Sequence, residues 1–350
     1  HIVSSRREET VKAIKFEEPW KVQCIDIEKP EPKEGQALIK VRAAGICGSD
    51  IGAFRGTNPL VSFPRIIGHE IVGEVLSIPE DNARGIKAGD RVIVDPYLYC
   101  GTCYPCSVGR TNCCTDLKVL GVHVEGGMAE YMTHPADMLW KLPDDMPWDI
   151  APMAEPLTIA LHGIHRGELA AGEHVAIIGA GPIGLLTGIV LKHAGASKII
   201  ISDVDDARLA MCKEFGFETV NVKNESMIYY VNQATGNVGV DVVFECSGSE
   251  PSALEITKLC RIGGMICLTG VHKVPHAVNL QDVNFKEQTL VGSRVYTLRE
   301  FGQAVEYAKE IAPELEKIVT HVVPLAESEK VFDLIKDPGE MTVKVLVDCR

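Results

Sequence analysis

From about residue 158 the chain alternates continuous Val/Ile runs with helical stretches: "HVAIIGAGPIGLLTGIVLKHAG", "KIIISDVDDARLAMCKEFG", "VDVVFECSGSEPSALEITKLC" and "GGMICLTG". A strand without a polar face has no side to turn to water, so it must be covered on both faces, and the intervening helices supply the cover. This predicts an α/β class with a doubly wound parallel sheet, the Rossmann architecture, over residues 158–296. Gly179, Gly181 and Gly184 fall directly after the first such strand and open a helix. In that setting the first glycine makes a tight turn, the second lets the backbone approach a pyrophosphate, and the third lets helix and strand pack closely. Pro182 and Ile183 complete the predicted phosphate-binding turn, and the helix N-terminus faces the phosphate charge.

The next strand ends at Asp203, nineteen residues after Gly184. A carboxylate there accepts hydrogen bonds from the adenosine ribose hydroxyls and repels a 2′-phosphate, which favours NAD over NADP. Arg208 either offsets part of that repulsion or packs on the adenine.

Residues 11 to about 155 have a different texture. Short runs such as "ALIKVRAAGI", "IVGEVLSI" and "DRVIVDPY" are broken by Gly, Pro and Asp, which predicts a β-rich domain shaped as a partly open barrel or sandwich. The tail from 297 contains helices and a last strand, and is expected to return to this first domain. Two domains suit 350 residues.

A net charge of −13 and a pI near 5.4 repel nucleic acid and anionic lipid. No apolar stretch is long enough to span a bilayer, and the first residues lack the apolar core of a signal peptide. A cytoplasmic protein acting on a small molecule, with neither nucleic acid nor membrane as partner, is the expectation. Because the first residue is not Met, the residues before "VKAIKFEEP" stand outside this reading of the fold.

In a reducing compartment, twelve cysteines point to metal ligation or thiol chemistry rather than disulfides. Five lie in "CGTCYPCSVGRTNCC". Two-residue spacings let Cys100, Cys103 and Cys106 converge on one ion, with Cys114 or Cys113 as fourth ligand; four thiolates suit a closed, structural zinc site. An iron–sulfur cluster would use the same ligands, although nothing else here suggests electron transfer. A thioredoxin-like pair lacks its surrounding fold.

A second set is mixed: Cys47 in "AAGICGSD", His69 and Glu70 in "GHE", and Glu155 in "AEPL". Three protein ligands of sulfur, nitrogen and oxygen type, with room for an exchangeable fourth, are the mark of a catalytic zinc.

Together "CGSD", "GHE", the cysteine lobe, "AEPL" and "IGAGPIG" resemble the zinc-dependent medium-chain alcohol dehydrogenase family over essentially the whole chain, its polyol and threonine dehydrogenase branch in particular. The resemblance implies a GroES-like catalytic domain (1–157 and 297–350), two zinc ions and a homodimer or homotetramer. It makes Cys114 the fourth ligand of the structural zinc. Cys47, His69 and a carboxylate hold the catalytic one, with Glu155 at the third-ligand position and Glu70 an alternative ligand or partner of the bound water. Ser49 matches the hydroxyl that takes the substrate proton, and Asp50 is expected to orient His69 or another group beside the metal. Many polyol relatives have a histidine where this chain has Gly52, which leaves the onward proton route open to a water held by Glu70 or Glu155. Arg294 matches an arginine near the substrate. The implied reaction is hydride transfer between NAD and a polyol, a sugar acid such as an aldonate, or threonine. A protein that binds NAD without catalysis would have lost Cys47, His69 or Glu155, and all three are present.

Overall fold

The computed structural model describes residues 9–336 and 342–350. The chain divides into two units, one formed by residues up to 155 together with those from 301 onward, the other by Pro156–Glu300. Both crossings fall inside helices, Ala154–Gly167 and Leu298–Glu310, so no loop composition marks either boundary.

The second unit is a six-stranded sheet in the order Glu218–Asn221, Lys198–Asp203, His174–Ile178, Val240–Glu245, Cys260–Leu268, Thr289–Gly292. Every neighbouring pair is parallel. Numbered along the chain the order is 3-2-1-4-5-6, so the direction of winding reverses between His174–Ile178 and Val240–Glu245, where such sheets bind their ligands. The predicted Rossmann sheet is present. Ile177, Ile200, Ile201, Val243 and Phe244 are fully buried, as strands covered on both faces require.

The first unit holds a three-stranded sheet and a seven-stranded sheet, largely antiparallel. The last strand, Lys344–Asp348, lies between Gln36–Gly45 and Val319–Pro324, so the tail does return to the β-rich unit. Phe332, in helix Glu329–Lys336, packs against Phe16 and Phe54 with ring centroids 5.1 and 4.9 Å apart. Aromatic pairs of this kind add about 0.5–1.5 kcal/mol each beyond their buried area. The cysteine lobe is closed at its base by a two-stranded ladder, Tyr97–Leu98 against Lys118–Val119. Among the described residues no helix is long and apolar enough to cross a membrane.

Candidate active site and zinc lobe

Local structure delivers the mixed ligand set to one point. Gln36–Gly45 and Glu70–Ser77 run antiparallel with Gly45 opposite Glu70, so the chain leaving the first strand meets the chain entering the second. Gly45 is glycine for a steric reason: a Cβ there would collide with the Glu70 carboxylate. Two residues on, Cys47 caps helix Gly48–Phe54, and its N–H donates to Asp50 Oδ2 at 2.9 Å. Cys47, His69 and Glu70 thereby bring one ligand atom each within 4.8 Å of one another.

His69 and Glu70 are buried, and so are Asp50 and Glu155. Asp50 Oδ1 lies 3.8 Å from His69 Nδ1, and Ser49 Oγ lies 3.4 Å from Nε2. Nδ1 makes no hydrogen bond, so Asp50 acts on the ring through its charge, and Nε2 is the nitrogen on the Ser49 side. The Glu155 carboxylate lies outside the 4.8 Å group, yet its charge acts on both His69 and Lys344.

Lys344 was not singled out by sequence reasoning. It is 2% exposed, donates to Glu70 Oε1 at 2.5 Å and is ion-paired with Oε2 as well. A lysine in "VKVLVD" reads as the outward position of an edge strand, and only the tertiary fold turns it onto Glu70.

Burial works against a proton on His69, but Asp50 and Cys47 raise its pKa well above the ordinary value. Burial likewise disfavours the Lys344 charge, and Glu70 and Cys47 outweigh it. Burial raises the Asp50 pKa against the pull of His69. The site collects buried His69, Asp50, Glu70, Glu155 and Lys344 around Cys47, and its Cys/His/carboxylate donor set fits a zinc ion.

In the lobe, Cys100, Cys103, Cys106 and Cys114 bring their sulfurs within 4.8 Å, and Cys113 stays exposed outside the group. Backbone N–H groups of Cys100, Cys103 and Asp116 point at the sulfurs of Cys114, Cys100 and Cys114, at 3.3–3.4 Å. A backbone hydrogen bond from Thr115, with others behind it, pulls the Cys103 thiol down to about 6. Such donors stabilise thiolates, the form that binds zinc. All four donors of the lobe are sulfurs, unlike those of the mixed set.

At the dinucleotide turn, Gly179 has φ +101°, and a Cβ there would lie 3.2 Å from Ser247 N. A Cβ on Gly184 would strike Gly179 O, whereas nothing lies within 4 Å of one on Gly181. The three glycines thus turn the chain, leave an open approach and admit close packing, in that order. Gly181 caps helix Pro182–His193. Asp203 is tied to the turn, Oδ2 accepting from Ala180 N at 2.7 Å and Oδ1 from Val204 N at 2.7 Å. Arg208 Nη1 lies 3.8 Å from Asp203 Oδ2. Arg294 is exposed on the nucleotide-binding unit, just after strand Thr289–Gly292.

This fold and these donor sets define a zinc-binding, nicotinamide-dependent oxidoreductase. Residues 33–144 match the Alcohol dehydrogenase GroES-like domain and residues 182–310 the Zinc-binding dehydrogenase domain. An uncharacterized zinc-type alcohol dehydrogenase-like protein of Haemophilus influenzae is 43% identical, covering 96% of this chain and 98% of that one. A 2-dehydro-3-deoxy-L-galactonate 5-dehydrogenase of Pseudoalteromonas atlantica is 35% identical, covering 91% and 93%. Two solved structures share the fold with TM-scores of 0.88, each covering 97% of this chain and 99% of its own. They are an alcohol dehydrogenase of Escherichia coli CFT073 in complex with NADH, 33% identical, and a zinc-binding dehydrogenase of Sinorhizobium meliloti bound to NADP, 31% identical. The chain belongs to the zinc-dependent medium-chain alcohol dehydrogenase family.

Proposed function

We propose that this protein is an NAD-dependent dehydrogenase that interconverts a secondary alcohol of a polyol or sugar acid and its ketone. The observation that carries the reading is the convergence of Cys47, His69 and Glu70 within 4.8 Å beside buried Glu155 and Lys344. Cys47, His69 and Glu155 would hold one zinc, with Glu70 restrained next to it by Lys344, and the four lobe cysteines would hold a second. The zinc, when bound, supplies Lewis acidity toward the alcohol oxygen, and the nicotinamide supplies the hydride acceptor.

The chain's own residues do the rest. Asp50 sets its charge beside His69 Nδ1, and Ser49 accepts the substrate proton at Oγ while passing its own to a water held by Glu70 or Glu155. Lys344 holds Glu70 in place through the buried ion pair. Acidic groups at the site favour a ligand rich in hydroxyls over a small hydrophobic one, and the sugar-acid dehydrogenase among the relatives is consistent with that. Asp203, held against the Gly-rich turn, supports NAD over NADP because a ribose 2′-phosphate would bring like charge against it.

The test is NADH formation by the zinc-replete protein with sorbitol, xylitol, galactitol, several aldonates and threonine, beside Cys47→Ser as control. Turnover on a polyol or aldonate, absent in Cys47→Ser, is expected. Turnover on threonine alone would replace the substrate class, and an active Cys47→Ser would sink the mechanism.

A further inference from the structure

Strand Val240–Glu245 ends in a carboxylate that has no place in the reading so far. Glu245 is fully buried, and its Oε1 accepts from Ser247 N at 2.8 Å, Ser247 Oγ at 2.6 Å, Gly248 N at 2.9 Å and Ser252 Oγ at 2.9 Å. Each of these groups donates and the carboxyl accepts, the pattern that suits a carboxylate. Oε2 is different. It is buried without a hydrogen bond; His272 Nε2 lies 3.0 Å away but is not oriented to make one, and both His272 ring nitrogens are themselves buried without a hydrogen bond.

The backbone around it is shaped to this group. A Cβ on Gly270 would lie 2.6 Å from Oε2. Thr269 N and Gly270 N donate to Glu245 O at 2.8 and 2.7 Å, which ties the end of Cys260–Leu268 to the same residue. Oε2 is ion-paired with His272 only when that ring is protonated; with a neutral ring the buried oxygen is left without a compensating charge, at a cost of about 1–3 kcal/mol or more.

The position says which partner. With the adenosine ribose at Asp203 and the pyrophosphate at Gly181–Gly184, the cofactor's other half has to cross the winding reversal. It then lies over the ends of Val240–Glu245 and Cys260–Leu268, beside Ser247, which Gly179 nearly touches. That half carries the nicotinamide, a cation when oxidised and uncharged when reduced.

We infer that Glu245 is the counter-charge for the nicotinamide end of the cofactor, fixed by Ser247, Gly248 and Ser252 so that it favours the oxidised ring over the reduced one. The inference rests on the proposed cofactor reading, and ADP-ribose, which lacks the ring, separates the two. The experiment measures dissociation constants for NAD, NADH and ADP-ribose by calorimetry in the zinc-replete wild type and in Glu245→Gln and Glu245→Asp, with circular dichroism and thermal melting as checks on the fold.

Glu245→Gln is expected to weaken NAD about tenfold relative to NADH, which corresponds to about 1.4 kcal/mol of attraction lost from the oxidised ring. ADP-ribose binding should be unchanged, and Glu245→Asp should keep the wild-type NAD/NADH ratio. Equal weakening of all three ligands, or an unchanged ratio, would show that Glu245 only braces the loops and overturns the inference. Loss of the ratio in Glu245→Asp to the same extent as in Glu245→Gln overturns it too, and this arm stands if the glutamine variant does not fold. Wild-type protein that ignores ADP-ribose would instead overturn the cofactor reading beneath it.

Discussion

At the scale of single residues, the site depends on a pairing that adjacency in the sequence hides. Glu70 and Lys344 are 274 positions apart and form a buried ion pair. Removing one member of such a pair leaves an uncompensated charge at a cost of about 3–5 kcal/mol, whereas removing both is far milder. Lys344→Met should therefore destabilise the zinc-free protein by about that amount, and Lys344→Met with Glu70→Gln should recover most of it. Denaturant unfolding checks this; equal stability of the single and double variants would show that the pair is not the source. His69, Cys47 and Glu70 were legible in sequence because metal ligands are chemically distinctive residue types. Lys344 and Glu245 were not, since a lysine or glutamate in a strand takes its meaning from what the fold places opposite it.

At the scale of elements, two junctions deserve a measurement. Asp203 ends its strand with both carboxylate oxygens on backbone N–H groups, one of them in the Gly-rich turn. Asp203→Ala should raise the kcat/KM ratio of NADP to NAD by about tenfold, as removal of one opposing charge would; an unchanged ratio would mean the ribose is recognised elsewhere. The second junction is the start of helix Leu298–Glu310. Glu300 accepts from Thr297 N at 2.8 Å in a capping box, and His162 Nδ1 and His165 Nδ1 lie 2.8 Å from its two oxygens.

Burial pushes the Glu300 pKa up, but the bonds to His162, His165 and Thr297 win and hold it well below the ordinary value. Its stabilisation is present above the unfolded value near 4.5 and is lost as pH falls through the folded value. The hydrogen bond that His165 donates to Glu300 raises the His165 pKa, so that contribution is complete below the unfolded value of 6.5 and fades as pH rises through the folded one. Both are present between those limits. Glu300→Gln should cost about 2 kcal/mol there, and less at pH 9, with the half-exposed His165 adding only a little. Melting curves at pH 5.5 and 9 decide it: equal losses would mean the histidine charge contributes nothing.

At the scale of the whole molecule, the two candidate metal sites draw on separate stretches of chain, so they should load separately. Zinc analysis should find two ions per chain, and Cys114→Ala should lose one, with a lower melting temperature, while the mixed site keeps the other. A single zinc in the wild type would leave only the lobe or only the active site as a metal centre. Sequence alone determined the α/β class and singled out the Gly-rich turn and the two candidate ligand sets. Each follows from local rules: unbroken Val/Ile runs must be covered on both faces, a glycine is needed where a Cβ would collide, and cysteines two residues apart can share an ion. The tertiary structure decided that Cys114 rather than Cys113 joins the lobe, that Lys344 meets Glu70, and that Glu245 lies buried at the end of its strand among Ser247, Gly248 and Ser252. Those outcomes depend on which distant strands pair and in what register, and a buried charge is tolerated only where that pairing supplies its partner.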